Sequence, residues 1–243
     1  PPYYTGGEIP AREDLPPQTP ESFRRRFNID VRVRHEVTAI HPEEKTVEVR
    51  DLQSGRTFTE SYDKLILSPG AAPVKPDIPG VDGPRVFTLR TVEDTFRIYD
   101  FVTQYASKTA VISGGGFIGL EMAENLINRG IQVTMLQRPR QVMRPLDPDM
   151  AAMLHGKLRK AGVDLRLGTS AAALHPAENQ VEVELTDGQC LGADMVVLAI
   201  GVQSDGSLAK AAGLAVNSRG AIVVSDRMET PHPDIYAVGD AVE

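Results

Sequence analysis

The sequence lacks tryptophan and has one cysteine, Cys190, among its 243 residues. A single thiol excludes an intrachain disulfide framework and a cysteine-rich metal centre, so we expect no metal site. No apolar run approaches the ~20 residues that span a bilayer, and no basic, apolar leader opens the chain. We therefore expect a cytoplasmic protein without a membrane partner, although a start at Pro1 rather than Met leaves a removed leader open.

An excess of basic charge is also missing, since 26 Lys and Arg residues oppose 33 Asp and Glu residues for a net charge of −7. An acidic chain argues against a nucleic-acid partner, which needs a basic surface. It does not exclude a phosphate-rich cofactor, because helix N-termini and a few local arginines bind phosphates inside an acidic protein. Hydrophobic residues make up 41% and charged residues 24%, as in ordinary globular domains.

The first part of the chain predicts loops and a meander. The first twenty residues are dense in proline and glycine, which indicates an irregular segment. Thr19-Pro20-Glu21 predicts the start of a short helix that ends near Phe27. Period-two alternation then predicts three short strands, followed by a short buried strand that ends in a turn and a proline-rich loop. These elements are His35–Ile40, Thr46–Asp51, Thr57–Ser61, Lys64–Leu67, Ser68–Ala71 and Pro73–Pro84.

From there on, strands alternate with helices. A helix over Thr91–Ala106 precedes a complete strand–helix–strand unit, and two short strands are expected near the end of the chain at Ala221–Val224 and Ile235–Val238. This alternation predicts an α/β fold with a parallel, doubly wound sheet and a small antiparallel meander. The unit consists of the strand Lys108–Ile112, the glycine loop Ser113–Gly116, the helix Phe117–Arg129 and the strand Gln132–Leu136.

The glycine loop carries the G-x-G-x-x-G pattern directly between the strand and the helix. Gly114 permits a tight turn, Gly116 lets the backbone approach a pyrophosphate, and Gly119 allows the helix to pack closely on the strand. The phosphates would bind the free N–H groups at the positive end of the helix. A purely structural turn is the alternative, but the strand and the helix that the motif requires are both present, so we favour a dinucleotide site.

The end of the second strand bears on the choice between NADH and NADPH. A carboxylate at this position accepts hydrogen bonds from the ribose 2′-hydroxyl in NAD-binding proteins. This chain has Gln137, which does not repel a 2′-phosphate, and the adjacent Arg138 can pair with one. Dual or NADPH-leaning specificity is therefore expected. Arg140 and Arg144 follow, and a solvated loop explains them at least as well.

Several motifs in order along the chain resemble the pyridine nucleotide-disulfide oxidoreductase family. Within it, the sequence is similar to the branch of coenzyme A-disulfide reductases, CoA-persulfide reductases and NADH oxidases. The tail Thr230–Asp240, in which a strand closes on Gly239-Asp240, is one of these motifs. The others are Pro2-Tyr3-Tyr4, Gln18-Thr19-Pro20-Glu21, Leu65-Ile66-Leu67-Ser68-Pro69-Gly70-Ala71, Gly116-Phe117-Ile118-Gly119-Leu120-Glu121-Met122-Ala123-Glu124 and Ala199-Ile200-Gly201-Val202.

The resemblance implies two Rossmann-like domains, each with a small antiparallel meander, that bind FAD and NAD(P)H. Residues 105–224 would form the NAD(P)-binding domain, inserted into an FAD-binding domain made of residues 1–104 and 225–243. The reaction implied is hydride transfer from NAD(P)H to flavin and then to the sulfur of a small thiol or disulfide substrate of the coenzyme A type.

Residue roles also follow from the resemblance. Phe117 matches an aromatic residue that covers the flavin until the nicotinamide displaces it, and Glu121 matches an acid buried close to both rings. A core position and a surface position are the respective alternatives. The remaining cofactor residues divide between the two nucleotides. On the FAD side they are Val37 (near the adenine), Ser68, Pro69, Gly70, Gly239 and Asp240 (the last on the ribityl chain). On the NAD(P) side they are Gly114, Gly115, Gly116, Phe117, Ile118, Gly119, Gln137, Arg138 and Gly201.

Three features of the family are missing from these 243 residues: the first FAD-binding glycine loop, the redox cysteine before Pro2-Tyr3-Tyr4, and the C-terminal domain through which the parent would form a homodimer. Cys190 does not replace the redox cysteine, because it follows an Asp-Gly turn far from every flavin motif and has no basic neighbour to lower its pKa. The sequence is therefore expected to be a fragment that is inactive alone and purifies without FAD.

Other functions stay open at this point. An NADH oxidase on the same scaffold reduces oxygen instead of sulfur, and the fragment itself can be a dinucleotide-binding module without turnover. A nicotinamide-linked dehydrogenase without flavin is disfavoured, because it would leave the Ser68-Pro69-Gly70 turn and the Tyr236–Asp240 tail unexplained.

Overall fold

A computed structural model describes residues 2–9, 12 and 18–242. The helices are α1 (Pro2–Gly6), α2 (Pro20–Phe27), α3 (Val92–Gln104), α4 (Phe117–Asn128), α5 (Pro148–Lys160) and α6 (Ser207–Ala211). The strands are β1 (His35–His41), β2 (Thr46–Asp51), β3 (Thr57–Ser61), β4 (Leu65–Leu67), β5 (Ala71–Pro73), β6 (Val86–Thr88), β7 (Thr109–Ser113), β8 (Gln132–Gln137), β9 (Asp164–Leu167), β10 (Ala171–Pro176), β11 (Val181–Leu185), β12 (Cys190–Ala193), β13 (Met195–Leu198), β14 (Val202–Ser204) and β15 (Ile235–Ala237).

The chain forms two compact units, and each is made of two chain segments. Unit 1 comprises Pro1–Pro16 and Pro73–Gly201, and unit 2 comprises Pro17–Ala72 and Val202–Glu243. The unit boundaries therefore differ from the expected domain boundaries at residues 104 and 224. Unit 1 takes in α3 and β6 because both pack on its parallel sheet.

Unit 1 contains the parallel sheet that the alternation predicted, which confirms the α/β fold class. Its five strands lie in the order β6-β13-β7-β8-β9, and every neighbouring pair is parallel. All four residues of β13 are buried, as expected of a central strand covered on both faces. Strand order reverses between β7 and β13, because the chain moves outward from β7 to β9 and then returns to the other side of β7.

The helices of unit 1 cover this sheet with apolar side chains. Helix α4 buries Met122, Ala123 and Leu126 in one core cluster with residues of β7, β8 and β13. Helix α3 begins with a capping box in which the Thr91 side chain accepts from the Asp94 N–H and the Asp94 carboxylate accepts from the Thr91 N–H. Strands β10, β11 and β12 form the predicted small antiparallel meander, whose core residues include Leu174 and Val183.

Asp194 connects the start of β13 to the start of β7. Its carboxylate accepts hydrogen bonds from the backbone N–H groups of Lys108 at 2.7 Å and Thr109 at 2.9 Å, and from the Thr109 hydroxyl at 3.1 Å. Burial raises the pKa of this carboxyl. The hydrogen-bond donors and the nearby Arg85 together lower the pKa by more than burial raises it, so the net pKa lies below its ordinary value. The ionised form thus holds two neighbouring strands in register.

We expect Asp194→Ala to lower the free energy of unfolding by about 2–3 kcal/mol, because it leaves partly buried backbone donors without an acceptor. Since the pKa of Asp194 is lowered on folding, its contribution is present above about pH 3.9 and is lost as the pH falls through the folded-state value. Urea unfolding at neutral and acidic pH measures both effects. Asp82→Asn is the control, since that carboxylate is exposed and pairs with Lys75; an equal loss in both variants would contradict this role.

Unit 2 is built from small sheets. Strands β1, β2 and β3 form an antiparallel meander, β4 pairs in parallel with β15, and β5 pairs with β14. The core includes Leu67, Ile222, Ile235 and Ala237, all buried. Helix α2 occupies the residues expected for it, with Thr19 as its N-cap, since the Thr19 hydroxyl accepts from the Ser22 N–H at 3.2 Å.

Three features differ from the sequence-based expectations. The expected irregular start contains α1, where Tyr4 is buried against Phe96 and Tyr99 of α3, so tertiary contacts outweigh the local glycine and proline content. Residues 10, 11 and 13–17 of that segment lie outside the described residues. No strand forms at Ala221–Val224, where Ile222 makes only isolated bridges. A meander was expected in unit 1, but its strands β10 and β12 were not located from the sequence, and neither were the short strands β5, β6 and β14. Within the described ranges, no helix is long and apolar enough to span a membrane.

Candidate functional site

A cleft of about 780 Å³ in unit 1 lies at the carboxyl ends of β7, β8 and β13, where strand order reverses. Ligands of doubly wound sheets bind at this position, because neighbouring loops diverge there. Seven of the predicted cofactor residues line the cleft: Gly114, Gly115, Gly116, Phe117, Gln137, Arg138 and Gly201.

Two glycines of the loop are required by the protein itself. Gly114 has φ of +114°, and a Cβ there would lie 2.2 Å from the Ala199 carbonyl oxygen. A Cβ on Gly119 would lie 2.0 Å from the carbonyl oxygen of Gly114. No real Cβ contact is that short, so a larger residue at Gly114 would displace the loop from the segment after β13, and one at Gly119 would push α4 away from the loop. The tight turn and the close helix packing expected of these two glycines are both present.

Gly116 is different, because none of the described residues requires a glycine at this position. Its φ of −85° suits any residue, and a Cβ would have no protein atom within 4 Å. It is the N-cap of α4, whose first N–H groups have no intrahelical acceptor and no capping side chain. The missing side chain therefore leaves open space beside unsatisfied donors in the cleft, which fits a bound pyrophosphate.

Gly115 is bound to the protein through both of its polar backbone groups. Its N–H donates to Gln137 Oε1 at 2.9 Å, and its carbonyl accepts from the Met143 N–H at 2.8 Å. Gln137 Nε2 donates in turn to the Gln141 carbonyl at 2.9 Å. The Gln137 side chain thus ties the glycine loop to the segment 138–146, which we call the arginine loop. A sequence pattern does not reveal this tie, because the motif gives no role to the residue between its first two glycines.

The arginine loop separates the three arginines of the sequence. Arg138 and Arg144 line the cleft, and Arg140 does not. Within the described part of the chain, neither Arg138 nor Arg144 has an ion-pair partner. Two guanidinium groups on the rim of one cleft provide a cationic site at the place where β8 ends. The structure thus puts Arg144 on the same cleft as Arg138, although the sequence pattern did not distinguish Arg144 from Arg140.

The predicted catalytic residues lie at the start of α4. The Phe117 ring is 69% exposed on the cleft, which is unusual for a phenylalanine and shows that it is not a core residue here. Ile118 is 39% exposed, and Glu121 is half-buried one turn along the helix. Neither of these two lines the cleft. Gly201 closes the opposite wall with φ of +124°, and its carbonyl accepts from the Val74 N–H at 3.0 Å.

Parts of the cleft wall were not anticipated from the sequence. Residues 74, 76–78 and 170–171 line it, although they lie in segments without a nucleotide motif. Their only sequence signal is proximity to strand ends, since they follow β5 and precede or begin β10. Contributions of this kind become visible only when the loops are placed in space.

In unit 2, the expected FAD residues fall into two groups. Ser68, Pro69 and Gly70 follow β4, and Gly239 and Asp240 follow the neighbouring parallel strand β15. The two strand ends are adjacent, since a Cβ on Gly239 would lie 3.7 Å from the Ser68 hydroxyl oxygen. The Asp240 backbone carbonyl accepts from the Ser204 hydroxyl at 2.7 Å, and the residue itself is exposed.

Val37 lies in a different sheet, the antiparallel meander, where it faces Val49 and is 41% exposed. The register shifts between Val37 and Ala39, so the backbone is irregular at this point. An exposed hydrophobic residue beside a bulge offers an apolar surface. This is compatible with a contact to a planar base.

Cys190 is exposed at the start of β12, and burial together with the neighbouring Glu182 and Glu184 raises the pKa of its thiol. A raised pKa suppresses the reactive thiolate, so this cysteine lacks the environment of a redox thiol. Among the described residues, no group of histidine, cysteine and acidic side chains is arranged to hold a metal ion.

Comparison with known proteins identifies the family. The family model for pyridine nucleotide-disulphide oxidoreductases matches residues 4–243. The chain belongs to this family. Pyridine nucleotide-disulphide oxidoreductases are FAD-dependent and use NAD(P)H. The cleft and the glycine loop therefore belong to a member of a family of dinucleotide-binding enzymes.

Two curated relatives in this family carry different names. A coenzyme A disulfide reductase of Staphylococcus haemolyticus is 34% identical over 241 residues, which cover 99% of this chain and 53% of the relative. An NADH oxidase of Methanocaldococcus jannaschii is 38% identical over 244 residues, which cover 100% of this chain and 54% of the relative. The chain thus spans about half the length of the curated relatives it matches.

Solved structures of other family members have the same fold. The reduced CoADR-RHD of Bacillus anthracis is 46% identical, with a TM-score of 0.95, and is matched over 100% of this chain and 43% of that protein. A NAD-dependent persulfide reductase from A. fulgidus is 33% identical, with a TM-score of 0.94 over 100% of this chain and 46% of that protein. Both the α/β fold class and the family expected from the sequence are therefore confirmed.

Proposed function

We propose that this chain is the nucleotide-binding core of an FAD-dependent NAD(P)H oxidoreductase that reduces a coenzyme A-type disulfide or persulfide. The observation that carries the nucleotide site is the open space at Gly116. Packing among the described residues gives no reason for a glycine there, whereas a pyrophosphate bound at the N-terminus of α4 does.

The nicotinamide nucleotide is proposed to be NADPH in preference to NADH. Gln137 carries no charge to repel a 2′-phosphate, and its carboxamide is engaged with the Gly115 N–H and the Gln141 carbonyl. Arg138 and Arg144 provide charge for that phosphate on the same rim of the cleft. Gly201 would offer its backbone to the nucleotide from the opposite wall.

Phe117 and Glu121 are proposed to act on the redox side of the site. The exposed Phe117 side chain lines the cleft at the first residue of α4 and would turn aside to admit a nicotinamide ring. Glu121 lies one turn further along the same helix and would place a carboxylate toward the reacting rings.

The residues of unit 2 are proposed to bind part of FAD. Asp240 follows β15 and would accept hydrogen bonds from the ribityl hydroxyls, while Gly239 and the turn Ser68–Gly70 leave room for the chain of the cofactor. Val37 would contact the adenine. When bound, FAD would supply the redox chemistry by accepting hydride from NAD(P)H and delivering electrons to sulfur.

The test of this function is a steady-state assay of the full-length protein with coenzyme A disulfide or CoA persulfide as acceptor and NADPH or NADH as donor. We expect sulfur reduction with a higher kcat/KM for NADPH. Oxygen uptake without sulfur reduction would favour the second candidate, an NADH oxidase, which the name of the Methanocaldococcus relative supports. The parent is further proposed to act as a cytoplasmic homodimer, and sedimentation of the full-length protein tests its assembly.

We expect the 243-residue chain, purified alone, to be colourless and to reduce neither coenzyme A disulfide nor CoA persulfide. Only one G-x-G-x-x-G occurs in it, and that motif lies in unit 1, so FAD has no pyrophosphate loop in this chain. A visible absorption spectrum before and after desalting from excess FAD is the measurement. A flavin band that persists at one FAD per chain would contradict this expectation.

A further inference from the structure

Beside the nucleotide cleft, one histidine accepts a backbone hydrogen bond in an uncommon way. His155 on α5 lies with its Nε2 3.2 Å from the backbone nitrogen of Val142, at the centre of the arginine loop. An N–H can be received only by an unprotonated ring nitrogen, so the observed contact requires a neutral imidazole with its proton on Nδ1.

The position of Val142 connects this hydrogen bond to residues that line the cleft. Val142 precedes Met143, which has a left-handed φ of +48° and donates its N–H to the Gly115 carbonyl. Arg144 follows directly and lines the cleft. The Val142 side chain also packs on the glycine loop, because a Cβ on Gly115 would lie 2.6 Å from Val142 Cγ1.

The arginine loop is therefore held from two sides. On the inner side, the Gly115 carbonyl and the Gln137 carboxamide bind Met143 and Gln141. On the outer side, among the described residues, the Val142 N–H is held by His155. Met143, directly after Val142, has a left-handed backbone that these contacts hold in place.

We propose that His155 is a positioning residue for nicotinamide nucleotide binding, and that it fixes the arginine loop through Val142 only while its imidazole is neutral. The inference rests on the proposed nucleotide site, and it adds that the nucleotide affinity of this site depends on pH. His155 itself touches no nucleotide. We call the hydrogen bond between His155 and the Val142 N–H the latch. Its loss moves Arg144 away from the cleft and loosens the contact between the glycine loop and the arginine loop.

The electrostatic surroundings of His155 favour the neutral form. Burial lowers the pKa of the imidazole, and Arg159, one turn along α5, lowers it further. Arg159 is the charged group of the described chain that acts on this ring; no carboxylate lies beside it to favour protonation. Because the pKa is lowered on folding, the latch is intact above about pH 6.5 and is lost as the pH falls through the lowered value.

The test compares nucleotide affinities of variants by calorimetric titration. NAD⁺ and NADP⁺ serve as probes because the reduced forms decay in acid; NAD⁺ also lacks the 2′-phosphate, whose second pKa of about 6 would overlap with that of the histidine. His155→Ala removes the acceptor, whereas His155→Gln retains an amide oxygen that does not titrate. His175→Gln is the control, since His175 is an exposed residue of β10 paired with Glu184.

For the unsubstituted chain we expect the Kd of NAD⁺, which depends on the glycine loop rather than on Arg144, to rise about three- to tenfold as the pH falls from about 7.5 through the lowered pKa of His155, the effect of one lost hydrogen bond. His155→Ala should raise the Kd by the same factor at about pH 7.5 and show no further change in acid. His155→Gln should restore tight binding and make it independent of pH. Equal profiles for the unsubstituted chain and His155→Ala, or a shift in His175→Gln of the same size, would overturn the proposal.

A second measurement separates this inference from the nucleotide site itself. Amide exchange of Val142 and Met143, followed by NMR without nucleotide, should be slow at neutral pH and faster in His155→Ala. If no nucleotide binds but this difference is found, the proposed function fails and the latch stands. If nucleotides bind but exchange is the same in both proteins, the latch is wrong and the site stands.

Discussion

Gly116→Ala should lower the affinity of the chain for NADPH and NADH by about 10- to 100-fold, the loss expected when hydrogen bonds to a charged phosphate are blocked. It should not destabilise the fold. The added Cβ meets no protein atom within 4 Å, and φ of −85° is allowed for alanine. Replacing a glycine at such a position often raises the free energy of unfolding by about 0.4–1 kcal/mol.

Gly119→Ala is the matched comparison, since it makes the same chemical change three residues along the same motif. Its Cβ would lie 2.0 Å from the Gly114 carbonyl oxygen, so we expect the free energy of unfolding to fall by about 1–3 kcal/mol. Thermal unfolding and calorimetric titration of both variants separate ligand contact from packing. A stable Gly116→Ala variant that binds nucleotide as tightly as the unsubstituted chain would refute the pyrophosphate assignment.

The double variant Arg138→Ala, Arg144→Ala should lose about 30- to 100-fold in NADPH affinity, because a charge-assisted hydrogen bond to phosphate contributes roughly 1.5–3 kcal/mol. The affinity for NADH should change by less than about threefold, since the adenosine ribose of NADH carries a hydroxyl at this position. The preference for NADPH should therefore disappear. Both affinities are measured by titration at constant ionic strength, because added salt screens such contacts.

Arg140→Ala controls for the loss of positive charge. Arg140 belongs to the same arginine loop and is exposed, but it does not line the cleft. Its replacement should leave the ratio of the two affinities unchanged. A loss of NADPH affinity in Arg140→Ala equal to that of the double variant would show that the loop acts through its net charge, and the assignment of Arg138 and Arg144 would be withdrawn.

The nucleotide-binding part of the fold is strongly encoded in local sequence. A buried apolar run, three spaced glycines and an amphipathic helix predicted β7, the loop and α4 to within one residue at the element ends. This works because each glycine meets a backbone constraint that recurs wherever a parallel strand turns into a helix. The meander of unit 2 was equally accessible, since period-two alternation marks half-exposed strands.

Other features depend on contacts between distant residues and could not be predicted. Helix α1 forms because Tyr4 packs on α3, not because of its own glycine-rich sequence. Strands of three residues, such as β5 and β14, carry too little pattern to distinguish them from loops. The difference between Arg140 and Arg144 is set by the path of the arginine loop, which depends on Gln137, Met143 and the distant His155.

The central claim, that the cleft at the ends of β7, β8 and β13 binds NAD(P)H, is tested most directly by hydrogen–deuterium exchange of the chain with and without saturating NADPH. We expect NADPH to slow exchange in peptides that cover Gly114–Phe117 and Arg138–Pro145, with little change in strands β11 and β12. Protection confined to other segments, or exchange that NADPH leaves unaltered at both places, would contradict the account.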